Sequence, residues 1–173
     1  MAHKARKRFG QNFLHDQHII DNILGSLFYS QEQHWVEIGP GQGALTEPLL
    51  KSGTQLDVVE LDRDLVRLLG NKFAQYRNLT IHSSDALKFD FSALAQAGEK
   101  LHILGNLPYN ISTPLMFHLL ENTPRISDMT FMLQKEVVDR ICAGPGSKKY
   151  GRLSIMMQYY CATEHLFDVP PES

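Results

Sequence analysis

The sequence has only two cysteines and one tryptophan, and no apolar run approaches the length of a membrane span. A spanning helix needs about 20 consecutive apolar residues, so no membrane partner is expected. The first residues lack the apolar core of a secretory signal, which points to a cytoplasmic protein. Cys142 and Cys161 match no metal spacing and lie among apolar neighbours, so they read as reduced core residues, and no metal site is expected. The eight histidines show no ligand spacing either; His118, at helical distance from Leu115 and Leu119, reads as packing. Internal repeats and low-complexity tracts are also missing. Methionines such as Met156 and Met157 read as core filler.

What is present fits one α/β domain: 173 residues, 43% hydrophobic and 21% charged. The formal net charge of -2 hides a basic arm, "HKARKR", in which Lys4, Arg6, Lys7 and Arg8 meet no acid. Such an arm suits a polyanion, although composition alone favours a solvated terminus. Lys148, Lys149 and Arg152 form a second basic cluster on the Gly-rich stretch "GPGSKKYGR", readable as an RNA-facing loop or as an ordinary exposed one.

Strand and helix patterns alternate after the first thirty residues. Residues 1–30 read as a basic arm plus a helix capped by Asp16, and residues 31–173 as the main domain. "HWVEIG" (34–39), "QLDVVEL" (55–61), "LTIHS" (79–83), "LHILG" (101–105) and "DMTFMLQ" (128–134) read as strands. Helices are expected from Ala44 to Leu50, stopped by Gly53, from Asp64 to Phe73, and over "KEVVDRICAG" to Gly144. A helix-like "LSIMMQYY" and a strand-like "EHLFDV" follow. Alternation of this kind implies a mostly parallel sheet with helices on both faces, a Rossmann-like α/β fold.

"VEIGPGQGAL" places Gly39, Gly41 and Gly43 directly after the first strand, where a missing Cβ lets the backbone turn and approach a ligand. Glu60 ends the second strand about 20 positions later, where a carboxylate can accept both hydroxyls of an adenosine ribose. Asp85 follows the third strand and could address an adenine. Singly, either acid could be a helix cap; in order after successive strands they make a site. A dinucleotide would bring a pyrophosphate against Glu37, whereas S-adenosylmethionine brings a sulfonium and an ammonium that an acid suits. The charge argument favours S-adenosylmethionine.

Asn106, Leu107, Pro108 and Tyr109 follow the fourth strand. The exocyclic nitrogen of adenine is a poor nucleophile, because its lone pair is delocalised into the ring. The Asn106 side-chain oxygen and the Leu107 carbonyl can accept its two N–H groups, and Pro108 fixes the turn that aims them. Tyr109 offers a face for an extruded base, a contact worth roughly 1–3 kcal/mol. The bland alternative is a strand-to-loop turn with Tyr109 half buried. No strong general base is at hand, so the proton is expected to leave to water after transfer.

"FGQNFL" (9–14), "VEIGPGQGALT" (36–46), "VVELDRDL" (58–65), "SSDAL" (83–87), "GNLPYNISTPL" (105–115), "FMLQKEV" (131–137) and "YGRLSIMMQYY" (150–160) together resemble the ribosomal RNA adenine dimethyltransferases, specifically their bacterial small-subunit branch. The resemblance implies a class I S-adenosylmethionine-dependent methyltransferase. It would dimethylate N6 of two adjacent adenosines in the 3′-terminal hairpin of 16S rRNA, within the small subunit or its precursor. It implies cofactor contacts by Gln11, Asn12, Leu14, Glu37, Gly39, Gly41, Glu60, Leu61, Asp85, Ala86 and Asn106, and a stacking role for Tyr109. With the family in view, Lys4, Arg6, Lys7 and Arg8 read as phosphate contacts. Family members continue into a further strand and a small helical domain, so the chain reads as shortened; a monomer is expected.

Three other readings stay open. The same chemistry could act on large-subunit RNA or on DNA, since "NLPY" serves any extruded adenine. The chain could be a non-catalytic RNA-binding or assembly factor. A nicotinamide dehydrogenase is the weakest, because nothing downstream suits hydride transfer.

Overall fold

A computed structural model describes residues 12–173. Helix α1 (Gln17–Ser26) starts where expected: the Asp16 carboxylate accepts from the backbone N–H of His18 and Ile19 and satisfies two of the first-turn donors. Its Ile19 and Ile20 are buried. Strands β1 (His34–Ile38), β2 (Gln55–Glu60), β3 (Leu79–Ser83), β4 (Leu101–Asn106) and β5 (Ile126–Met132) form one parallel sheet in the order β3-β2-β1-β4-β5. Helices α2 (Thr46–Lys51), α3 (Arg63–Lys72), α4 (Ser112–Leu120), α5 (Lys135–Ile141) and α6 (Arg152–Tyr160) connect and follow the strands, with short 3-10 turns at Phe91–Leu94 and Thr123–Arg125.

Period-2 alternation sends the strands' side chains into two cores. Val36, Ile38, Val59, Leu101 and Ile103 meet Leu115, Met116, Leu119 and Met157 on one face. Trp35, Leu56, Val58 and Leu104 meet Ile20, Leu49, Leu69 and Phe73 on the other. Burying one such side chain contributes about 1.5–3 kcal/mol, so the two-sided apolar character of β1 and β4 drives the layering. From β1 the chain steps outward to β2 and β3, then returns to place β4 on the other side of β1. That reversal opens a crevice at the carboxyl ends of β1 and β4, where open α/β sheets bind ligands.

Several expectations shift. The segment "EHLFDV" forms no strand: it has no ladder partner, and Leu166 is exposed, so nothing supplies the hydrogen bonds or the burial that a strand requires. β5 begins at Ile126, two residues earlier than its apolar pattern suggests, because Ile126 registers with Leu101 across an irregularity in the ladder. α2 starts at Thr46 rather than Ala44, since the glycine loop occupies the preceding residues with turns. α5 stops at Ile141, before Gly144, and the Gln158 side-chain amide donates to the carbonyls of Ile141 and Ala143 at 2.8 and 2.7 Å. Cys142 and Cys161 are free but only half-buried, packed against the edge of the core rather than inside it. His118 is a packing residue with a polar anchor: its Nε2 lies 2.7 Å from the Phe89 carbonyl and its ring beside Phe91.

Candidate active site

The crevice is a cleft of about 1010 Å³, open mouth included, between the glycine loop, the ends of β1, β2 and β4, and residues 12–14. It brings together Asn12, Leu14, Glu37, Gly39, Gly41, Glu60, Leu61, Asp85, Ala86, Asn106, Leu107 and Pro108. Gln11, Lys4, Arg6, Lys7 and Arg8 lie outside the described residues.

The loop after β1 reaches the cleft because Gly39 and Gly41 adopt φ of 65° and 57°, the left-handed region that side chains disfavour. A Cβ at Gly41 would also press on the Phe13 ring at 3.2 Å. Gly43 has a different job: a Cβ there would sit 2.6 Å from the Phe73 ring, so it lets the loop pack on the end of α3.

Three carboxyl groups face this space, and no lysine, arginine or histidine lines it among the described residues. Glu60 is held by backbone donors, with Gly41 N–H at 3.4 Å and Asp62 N–H at 3.0 Å. Burial pushes the Glu60 carboxyl up from its ordinary range, against those two hydrogen bonds. Asp85 accepts the Leu87 N–H at 3.0 Å on one oxygen, which leaves the second for another donor. Glu37, 2% exposed, accepts the Thr46 hydroxyl at 2.6 Å. Burial pushes its carboxyl up to about 7; the Thr46 hydrogen bond opposes that rise and the charge of Glu60 adds to it.

At the end of β4, Asn106 Nδ2 donates to the Asn12 carbonyl at 2.9 Å. A carbonyl can only accept, so the amide nitrogen is committed to the N-terminal segment and Oδ1 becomes the outward acceptor. The Leu107 side chain is buried in the core, so the group this residue can offer a ligand is its backbone. Ile111 N–H and Ser112 Oγ both donate to the Pro108 carbonyl, closing the turn. Tyr109 is 55% exposed and stands outside the cleft lining, which leaves part of its ring open to solvent.

Phe13, Ser84 and Asn110 line the cleft as well; the sequence places Phe13 only beside the basic arm and gives no direct signal for Ser84 or Asn110. Each adjoins a candidate site residue, and that adjacency is all the quoted motifs offer. The second basic cluster is largely engaged: Lys149 pairs with Asp139 at 2.7 Å, and the Arg152 guanidinium stacks 4.9 Å from the Phe117 ring centroid. Lys148 is exposed.

The sequence matches the family described as Ribosomal RNA adenine dimethylase over residues 2–173. It is 63% identical over 169 residues to Ribosomal RNA small subunit methyltransferase A of Pseudomonas fluorescens, covering 98% of this chain and 63% of that protein. A dimethyladenosine transferase from Plasmodium falciparum superposes with a TM-score of 0.75 at 28% identity, over 85% of this chain and 52% of the other. The 23S rRNA methyltransferase ErmE superposes at 0.68 and 27% identity, over 84% and 55% of the two chains. The chain therefore spans somewhat less than two thirds of the length of the curated relative. On the extent of that match, the chain belongs to the ribosomal RNA adenine dimethylase family.

Proposed function

We propose that this chain is the catalytic portion of an S-adenosylmethionine-dependent methyltransferase that converts two adjacent adenosines in the 3′-terminal hairpin of 16S rRNA to N6,N6-dimethyladenosine. The observation that carries this reading is the charge of the cleft: three carboxyl groups, no facing cation among the described residues, and the acceptor end of Asn106 at one side. A pyrophosphate would meet only like charge there, whereas a sulfonium and an ammonium meet complementary charge. The glycine cradle, which side chains would fill, fits the slender methionine part of such a ligand.

When bound, S-adenosylmethionine supplies an electrophilic methyl and a thioether leaving group. Glu60 accepts the ribose hydroxyls, and Asp85 and the Ala86 backbone address the adenine ring. Asn106 Oδ1 and the Leu107 carbonyl accept the two N–H groups of the target amine. Together they would fix the target nitrogen on the cofactor side of the cleft, the positioning on which the transfer depends. Tyr109 gives the extruded base a face to stack on. The amine proton passes to water, since no strong base adjoins Asn106. Lys148 and the N-terminal arm contribute phosphate contacts, and the partner is the small ribosomal subunit or its precursor in the cytoplasm.

The test is incubation of the chain with labelled S-adenosylmethionine and small subunits lacking this modification, followed by nucleoside mass analysis. Dimethyladenosine confined to the 3′-terminal hairpin is the expected product. Label in large-subunit RNA or DNA, or none despite cofactor binding, overturns the assignment of substrate.

A further inference from the structure

Glu37 differs from the other acids of the cleft in how it is held. Glu60 and Asp85 each accept from backbone N–H groups, whereas Glu37 receives one hydroxyl, that of Thr46, and no cation pairs with it among the described residues. Both side chains are buried, Thr46 fully and Glu37 all but the small part that lines the cleft. An ionised carboxylate in such a place is under-solvated, and one hydroxyl does not replace its water shell. The groups around it reinforce this. β2 brings the acid Glu60, whose charge acts on Glu37, and α2 brings the neutral Thr46; the other charged group lining the cleft among the described residues is the acid Asp85, and no cation lines it.

Resting on the cofactor reading above, we infer that Glu37, positioned by Thr46, discriminates by charge between the sulfonium cofactor and its thioether product. While the cleft holds no cation its protonated form is favoured, and it is largely protonated only below about pH 7. When a sulfonium ligand docks, the O–H bond breaks, the proton goes to solvent and the carboxylate pairs with the new positive charge. After methyl transfer the sulfur is neutral, the charge partner is gone, and Glu37 takes a proton back from solvent. The ligand that has reacted is thereby held less well than the ligand that has not. Because the ammonium is common to both, the sulfonium alone sets the difference.

Titration calorimetry of the 173-residue chain with S-adenosylmethionine and with S-adenosylhomocysteine, in buffers of different ionisation heat, counts the protons directly. A carboxyl titrating near 7 is half protonated at pH 7, so about half a proton leaves per sulfonium ligand bound and clearly less per thioether. Glu37→Gln keeps the Thr46 hydrogen bond and mimics the protonated acid. It is expected to abolish proton release and to reduce the preference for the sulfonium compound about tenfold. Thr46→Val removes the hydroxyl that favours the ionised form, so proton release moves to higher pH, and Thr46→Ser restores it. Binding without proton release between pH 6 and 8, or release that survives in Glu37→Gln, overturns the role of Glu37 and leaves the cofactor reading intact. Binding of neither compound overturns both.

Discussion

The side chain of Asn106 and the backbone of Asn12 are tied by one hydrogen bond across 94 positions of sequence, Nδ2 to carbonyl at 2.9 Å. It makes the N-terminal segment part of what orients the Asn106 amide, beyond any role as a cover for the cleft. Asn106→Ala is expected to lower methyl transfer by at least about 10²-fold, the usual cost of losing a preorganised polar group at a reacting centre. Cofactor affinity should fall far less. Asn106→Asp should fare no better, because a carboxylate facing the Asn12 carbonyl is repelled and turns away. Equal losses of transfer and binding in either variant would contradict the division of roles.

Glu60 accepts from Gly41 and Asp62, so its carboxylate is aimed before any ligand arrives. Glu60→Gln keeps the shape but replaces one oxygen with a donor that faces donors. Cofactor affinity is expected to drop roughly 10- to 100-fold, the equivalent of one or two charged hydrogen bonds. Equilibrium binding of S-adenosylmethionine to the variant decides it, and unchanged affinity would remove Glu60 from the ribose site.

Much of this site was legible because its residue types are uncommon for their positions. Glycines after a strand, an acid at each of two strand ends and a proline two residues past β4 each narrow the local chemistry. The core of the fold was legible for a related reason, since the apolar runs of β1, β2 and β4 can be satisfied only between two layers. What escaped depends on contacts between distant parts of the chain. The early start of β5 depends on Leu101, and the end of α5 on Gln158 reaching back from α6. "EHLFDV" has a strand's composition, but composition does not supply a ladder neighbour. Gly43 reads as a ligand glycine because it continues the Gly39–Gly41 run; its contact with Phe73 is invisible without α3 in place.

Gly105 carries β4 past β1 at the point where the sheet reverses. A Cβ there would stand 2.6 Å from the Ile38 carbonyl oxygen, a backbone atom that cannot move without parting the two strands. Gly105→Ala is expected to destabilise by about 1–3 kcal/mol, the range for overpacking a rigid core. Urea denaturation measures it. Gly144→Ala, with nothing within 4 Å of the added methyl, serves as the comparison and should be close to neutral.

Away from the cleft, His34 and Asp57 form a buried charge network whose pH dependence has a definite sign. His34 is 3% and Asp57 5% exposed. His34 Nε2 lies 2.5 Å from one Asp57 oxygen and His82 Nε2 2.6 Å from the other. His34 Nδ1 sits 3.3 Å from Glu99, close enough for charge attraction but off line for a hydrogen bond. With both ring nitrogens facing carboxylates, the imidazolium is favoured. Burial opposes the charge, yet Asp57 and Glu99 outweigh it and hold the His34 pKa above 6.5. Burial likewise opposes the Asp57 anion, and the two histidines hold its pKa below 3.8. Stability from His34 is therefore full below about pH 6.5 and lost as pH rises through its folded value; that from Asp57 is lost as pH falls through its own. Glu37, raised to about 7, adds a separate decline that is largely complete by that pH. Melting temperature should thus fall as pH rises from about 6.5 through the folded value of His34 in the parent chain, and that part of the fall should be missing in His34→Gln. Asp57→Asn, which strands a buried imidazolium, should cost about 3–5 kcal/mol at neutral pH. Parent and His34→Gln profiles that fall equally above about pH 6.5 would show His34 to be neutral in the folded protein.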